Sequence, residues 1–336
     1  MKAFQIRGPE DCTFLDLPVP SLETEDSVIV EVKAVGICGS DVHSYRHGLN
    51  CPVIPGHEVA GVVCEKGSRV EKFEIGDHVV LEPLVACGIC PTCKKGRKNV
   101  CMQAKCIGCQ LDGGMREYFQ YDQYHWHKIP KELPWESVTL IEPYTVGIEV
   151  VSQGQVEEGD TVLIHGAGPA GLIALDICKK LGAVCIVSEV VDGRLERAGN
   201  MGADFLINPG CEDLQKRVKE ITCGEGPNVI IDAAGLAPLM EENVRLVSQA
   251  GRIVCMGIDP RKAAFEMPWV SVKEITIVGS RMQSGHFPRV IEHSSEYLES
   301  AKWLITDKIP FAEAHRAMDL AARTDPDTSK VVVMFD

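Results

Sequence analysis

The chain predicts an α/β fold whose second half is a doubly wound parallel sheet. Two observations carry this. From about residue 159 onward, short apolar runs of strand type alternate with stretches whose apolar spacing is close to 3.6, the pattern of successive βαβ units around a parallel sheet. The first of these strands runs straight into a glycine-rich loop that opens a helix. The first ~145 residues read differently, as β-rich and loop-rich, and hold most of the unusual Cys and His.

Residues 28–35 (VIVEVKAV) alternate partly between apolar and polar, as a half-buried strand does. Residues 59–63 and 79–81 are further short apolar runs bounded by Gly and charge. In the second region strands are expected at 161–165, 184–187, 205–207, 229–231, 252–256 and 274–278, and helices at 172–181, 194–201, 214–221 and 239–247. The last ~50 residues return to mixed texture, with a helix at 313–322 and a strand at 330–335 of the kind that often rejoins a first domain.

The 336 residues suggest two domains at ~150 residues each. With 45% apolar and 24% charged residues, composition is that of a globular protein rather than a disordered one. A net charge of −14 with no basic block argues against nucleic-acid and anionic-membrane partners. Fifteen cysteines is an odd count for a disulfide framework. The first residues lack the apolar core of a signal peptide, and no run approaches ~18 apolar residues. A soluble, cytoplasmic protein is expected, in which clustered cysteines bind metal.

Gly166-Ala167-Gly168-Pro169-Ala170-Gly171 is G-x-G-x-x-G, and Glu189 lies 23 residues beyond Gly166 at the end of the next strand. In this context the motif reads as a dinucleotide site. Gly166 allows the tight turn, Gly168 lets the backbone approach a pyrophosphate, Gly171 permits close packing, and the helix N-terminus meets the phosphates. A carboxylate at Glu189 accepts from ribose hydroxyls and repels a 2′-phosphate, favouring NAD over NADP. Arg194 is a candidate contact to the adenosine.

Cys87, Cys90, Cys93 and Cys101 place four thiols within 15 residues. Four protein thiolates suit a closed, structural zinc site. Lys94, Lys95, Arg97 and Lys98 between them offset the charge of −2 that four thiolates and one zinc carry. A second constellation differs. Cys38 and His57 lie on separate segments, and Glu58 and Glu142 could add oxygen ligands. Two or three strong ligands with an exchangeable position is the pattern of a catalytic zinc, a Lewis acid for an alcohol or carbonyl oxygen. Asp41 is placed to hold a ligand imidazole, and Ser40 and His43 to pass a released proton to water.

Taken together, Gly36-Ile37-Cys38-Gly39-Ser40-Asp41-Val42-His43, Gly56-His57-Glu58-Val59-Ala60-Gly61, the four-cysteine lobe, Gly113-Gly114-Met115-Arg116-Glu117-Tyr118, Ile141-Glu142-Pro143 and the Gly166 loop resemble the zinc-dependent medium-chain dehydrogenases over essentially the whole chain. The resemblance implies a GroES-like, partly open β-barrel catalytic domain at residues 1–146 and 284–336. It implies a Rossmann NAD-binding domain at 147–283, with strand order 3-2-1-4-5-6. Cys38, His57 and Glu142 match the catalytic zinc positions, Glu58 a carboxylate that is a ligand in some members, and Ser40 and His43 the proton relay.

The nearest branch is similar to the sorbitol, L-gulonate and L-galactonate dehydrogenases, through Gly114–Tyr118 and Gly279-Ser280-Arg281. Val100 before Cys101, the added pair Cys106 and Cys109, and Ser44 depart from that pattern. The expected protein is therefore an oxidoreductase with one NAD and two zincs per chain, acting on a secondary alcohol of a polyol or sugar acid. Arg281 is a candidate for a substrate carboxylate, and a homodimer or homotetramer is implied. The alternatives are dehydrogenation of L-threonine or another small secondary alcohol, and an NAD- and zinc-binding redox sensor without turnover.

Overall fold

The structure, a computed structural model, describes residues 1–257, 259–323 and 325–336. Two compact units divide the chain: Met1–Tyr144 with Ser284–Asp336, and Thr145–Gln283.

The first unit is built on a mixed seven-stranded sheet. Its central strand, Ser27–Gly36, pairs antiparallel with Glu58–Lys66, with Tyr118–Asp122 and with the C-terminal strand Lys330–Met334. The alternation legible at 28–35 is that of the folded strand. Val28, Val30, Val32 and Val35 enter the core with Phe4, Val59, Val63, Val79 and Trp126, while Glu31 and Lys33 pair with each other at 2.7 Å on the other side. Lys330–Met334 thus returns the chain's end to its first unit, bringing position 332 opposite Gly36.

In the second unit six parallel strands stand in the order Phe205–Ile207, Val184–Ser188, Thr161–His165, Val229–Asp232, Arg252–Cys255, Thr276–Gly279. This is the expected order 3-2-1-4-5-6, so the fold is α/β with a Rossmann sheet. Val162, Leu163, Ile164, Ile186, Ile230 and Ile253 are fully buried, as strands covered on both faces require. The order reverses between Thr161–His165 and Val229–Asp232, and ligands of open α/β sheets bind at the carboxyl ends of strands at such a switch point.

Most expected bounds fall within one or two residues of the observed ones, and two of the differences have local reasons. The helix expected at 172–181 begins at Pro169, because proline at the first helical position is already set to helical φ and lacks only an N–H that would go unpaired. The strand expected at 274–278 is Thr276–Gly279. Glu274 instead ends an unanticipated helix, Met267–Lys273, in the left-handed conformation (φ 51°). No helix among the described residues is long and apolar enough to cross a membrane.

Candidate active site and cofactor loop

Four sulfurs gather in the lobe. The Sγ atoms of Cys87, Cys90, Cys93 and Cys101 lie within 4.8 Å of one another, with Cys90–Cys101 at 3.8 Å and Cys87–Cys101 at 3.5 Å. Zn–S bonds of about 2.3 Å in a tetrahedron separate their sulfurs by about 3.8 Å, so the cage fits one zinc ion. Backbone N–H groups point at its sulfurs: Cys87 and Gln103 donate to Cys101, and Cys90 to Cys87, at 3.3–3.4 Å. The Thr92 hydroxyl lies 3.1 Å from Cys90 Sγ and lowers that thiol below its ordinary value, towards the thiolate. Lys94, Lys95, Arg97 and Lys98 are exposed.

The second constellation forms where two strand ends and a helix start converge. Cys38 immediately precedes the helix Gly39–His47, and His57 immediately precedes the strand Glu58–Lys66. Donor atoms of Cys38, His57 and Glu58 lie within 4.8 Å of one another. Asp41, in the helix's first turn, accepts from the Cys38 N–H at 2.9 Å with Oδ2. Its Oδ1, 3.8 Å from His57 Nδ1, is buried and has no hydrogen-bond partner among the described residues. Asp41 therefore faces the imidazole as expected, but beyond hydrogen-bonding distance.

Burial raises the Asp41 carboxyl to about 6 against the opposing pull of His57. Burial would lower the His57 imidazole, but Asp41, Cys38 and Cys109 outweigh it and raise it well above its ordinary value. A soft thiol, an imidazole and a carboxylate converging on one point, beside an orphaned carboxylate oxygen, fit a divalent zinc.

Glu58 has a partner that sequence reasoning missed. Lys330 Nζ reaches its two carboxylate oxygens at 2.6 and 2.9 Å and also donates to the Ile37 carbonyl at 3.2 Å. Both side chains are almost wholly buried. Gly36, paired with Glu58 across the sheet, leaves room for this carboxylate, since a Cβ there would overlap Glu58 Oε2. The one available signal was a lysine heading an otherwise apolar strand (KVVVM).

Glu142 is not part of the Cys38–His57–Glu58 trio. It is buried in the first turn of the helix Ile141–Gly154, and burial raises its carboxyl to about 7, with His57 opposing and Glu58 adding. Ser40 and His43 lie three residues apart on one helix, hence on one face. Both are exposed, and the His43 ring meets the His47 ring edge-on at 4.7 Å. The unexplained pair is close by: Cys109 Sγ lies 3.8 Å from His57 Nδ1 and 3.9 Å from Ser40 Oγ.

In the second unit the glycine loop follows Thr161–His165 and opens the helix Pro169–Lys180, with Gly168 at its N-cap. The Ala167 N–H donates to Glu189 Oε2 at 3.0 Å, and Oε1 accepts from Val190 and Val191 at 2.8 and 3.0 Å. A Cβ on Gly171 would overlap the Gly166 carbonyl oxygen, so packing demands that glycine. Gly168 is the opposite case: its φ is −73° and a Cβ would meet nothing within 4 Å. Neither strain nor packing requires glycine there, which fits a space kept for a pyrophosphate.

Gly171→Ala is therefore expected to lower thermal stability. Gly168→Ala should leave stability unchanged and weaken NADH binding about tenfold or more, read by fluorescence titration; equal stability losses would contradict this. Arg194 is half-buried on the helix Asp192–Asn200, and Arg281 is exposed just past the strand Thr276–Gly279.

Comparison with known proteins gives this geometry a setting. A family model described as "Alcohol dehydrogenase GroES-like domain" matches residues 24–131, and one described as "Zinc-binding dehydrogenase" matches residues 169–296. Sorbitol dehydrogenase of Bacillus subtilis (strain 168) is 33% identical over 99% of this chain and 97% of its own. Starvation-sensing protein RspB of Escherichia coli (strain K12) is 36% identical over 100% of this chain and 99% of its own. A crystal structure of an rspB alcohol dehydrogenase from E. coli CFT073, complexed with NADH, superposes with a TM-score of 0.95 at 35% identity, covering 100% of this chain and 99% of that one. Similarity of this extent, reaching both units, shows that the chain belongs to the zinc-dependent medium-chain polyol dehydrogenase family of oxidoreductases.

Proposed function

We propose that this protein oxidises a secondary hydroxyl of a polyol or sugar acid to the ketone, using NAD. The observation that carries the reading is the presence in one chain of two sites. One is a thiol–imidazole–carboxylate trio at Cys38, His57 and Glu58, and the other is a glycine loop with Gly168 left open and Glu189 at its edge. In this reading residues 1–146 and 284–336 form the catalytic domain and 147–283 the NAD-binding domain, in a cytoplasmic homodimer or homotetramer. The names of relatives, among them sorbitol dehydrogenase, D-xylulose reductase A and D-arabitol-phosphate dehydrogenase, support a polyol-type substrate.

When bound, zinc supplies the Lewis acidity that acidifies an alcohol, and NAD the acceptor for its hydride. The chain's residues do the rest. Cys38 and His57, with Glu58 or Glu142, hold the catalytic metal; Cys87, Cys90, Cys93 and Cys101 hold the structural one. Asp41, 3.8 Å from the His57 ring, acts on it through its charge. Ser40 Oγ accepts the substrate's hydroxyl proton and passes it to His43, whose exposed ring returns it to water. The N–H groups at the start of Pro169–Lys180 receive the pyrophosphate, Gly166, Gly168, Ala170 and Gly171 shape the loop, and Arg194 contacts the adenosine.

Glu189 accepts from the ribose hydroxyls. Hydrogen bonds to a charged acceptor contribute about 1.5–3 kcal/mol. Glu189→Ala is thus expected to reduce kcat/KM for NAD roughly tenfold to a hundredfold while improving use of NADP relative to NAD. An unchanged NAD/NADP ratio would contradict the assignment. Arg281 is assigned to a substrate carboxylate, for which a guanidinium offers paired donors. Arg281→Ala should cost more efficiency on an aldonate than on a neutral polyol, and equal losses would overturn that role.

The experiment that tests the function is NADH formation across pentitols, hexitols, their phosphates, aldonates and threonine, with chelator-treated controls. Turnover of a polyol or aldonate supports the reading, and turnover of threonine alone supports the second reading. NAD binding without any turnover would make the chain a redox sensor.

A further inference from the structure

Cys106 and Cys109 form the one C-x-x-C interval outside the lobe, and the backbone folds it onto itself. The N–H groups of Cys109, Gln110 and Leu111 all point to the Cys106 carbonyl at 3.0–3.2 Å. Both sulfurs and a ring nitrogen of His57 then lie within 4.8 Å of one another. Cys109 Sγ is 3.8 Å from His57 Nδ1, close to the ~3.5 Å that separates S and N on a tetrahedral zinc with bonds of about 2.3 and 2.0 Å. His57 is thus common to two donor sets: Cys38–His57–Glu58 and His57–Cys106–Cys109.

The two sets differ in chemistry. In the first, both Glu58 oxygens are already engaged by the Lys330 ammonium, so the carboxylate is a poor ligand as it stands. The second adds two thiols to the imidazole, and the Cys106 thiol, which meets the Ile107 carbonyl at 3.3 Å and the Cys109 sulfur beside it, has no charged partner to give up among the described residues. Soft thiolates with imidazole are a preferred zinc environment.

We propose that His57, Cys106 and Cys109 form a second, thiolate-rich position for the catalytic-site zinc, which the metal reaches by exchanging Cys38 for the cysteine pair while keeping His57. In the exchange both sulfurs of the pair bind as thiolates, any thiol proton they carry passes to solvent, and the freed Cys38 sulfur takes up a proton from it; no oxidant or reductant is involved. The position retains the metal when the carboxylate side is held by Lys330. The proposal rests on the zinc reading above.

The test is cadmium-113 NMR and metal content of the full chain, comparing C38S, C106S/C109S and C38S/C106S/C109S. The lobe's four-thiolate signal reports in every sample that the chain is folded. C38S is expected to keep two metals per chain with the second signal shifted, and the triple variant to keep one. C106S/C109S is expected to keep two but to lose the second to chelator at least tenfold faster than the unaltered chain. Loss of the second metal from C38S with the lobe signal intact, or an unchanged stripping rate in C106S/C109S, overturns the proposal. If the unaltered chain itself holds only the lobe metal, the zinc reading fails with it; if it holds two and turns over, only this inference is at stake.

Discussion

His57→Ala is expected to bring the metal content from two zincs per chain to one and to reduce kcat/KM for alcohol oxidation about a thousandfold or more. His57 belongs to both donor sets near the catalytic position, so its loss leaves neither with an imidazole. A metal that polarises the reacting oxygen contributes several kcal/mol to catalysis, and about 4 kcal/mol corresponds to roughly a thousandfold in rate. The glycine loop lies in the other unit, so NADH binding should survive the substitution. Metal analysis, steady-state kinetics and NADH fluorescence on one preparation check all three statements. Retained turnover with one zinc per chain would remove His57 from the chemistry.

Lys330→Met is expected to destabilise the protein by about 3–5 kcal/mol, the cost of leaving one member of a buried ion pair without its partner. The ammonium is enclosed, and both Glu58 oxygens depend on it. Adding Glu58→Gln should recover much of the loss, because the double variant buries no lone charge. Denaturant midpoints of the two variants decide the matter. A loss below about 1 kcal/mol for Lys330→Met, a value typical of exposed pairs, would show that water or another group satisfies Glu58.

What could be read beforehand depended on how local the information was. Cys87, Cys90, Cys93 and Cys101 were legible because one short segment supplies all four sulfurs. The glycine loop was legible because its strand, turn and helix are contiguous. The inner Rossmann strands were legible because burial on both faces writes a solid apolar run, whereas the edge strands Phe205–Ile207 and Thr276–Gly279 are partly exposed. The Lys330–Glu58 pair was not legible. It joins positions 272 apart, and only the antiparallel docking of Lys330–Met334 on Ser27–Gly36 brings them together.

Cys109 was visible as an anomaly but had no address, since the loop that carries it to His57 spans 52 positions. The helix Met267–Lys273 escaped notice because it buries none of its residues, so no apolar period marks it. Glu58 and Glu142 were equal candidates on spacing. The fold gives them different settings, Glu58 beside Cys38 and His57 under a lysine, and Glu142 at a helix start where His57, Glu58 and Lys330 all act on its carboxyl.

The most direct test of the central claim is NADH formation from NAD and a polyol or aldonate by chain of measured zinc content, before chelation, after it, and after zinc is restored. The expected result is turnover at two zincs per chain, its loss on stripping and its return with zinc. NADH formation that persists in zinc-free protein would contradict the account, as would a zinc-replete chain that binds NAD and oxidises none of these alcohols.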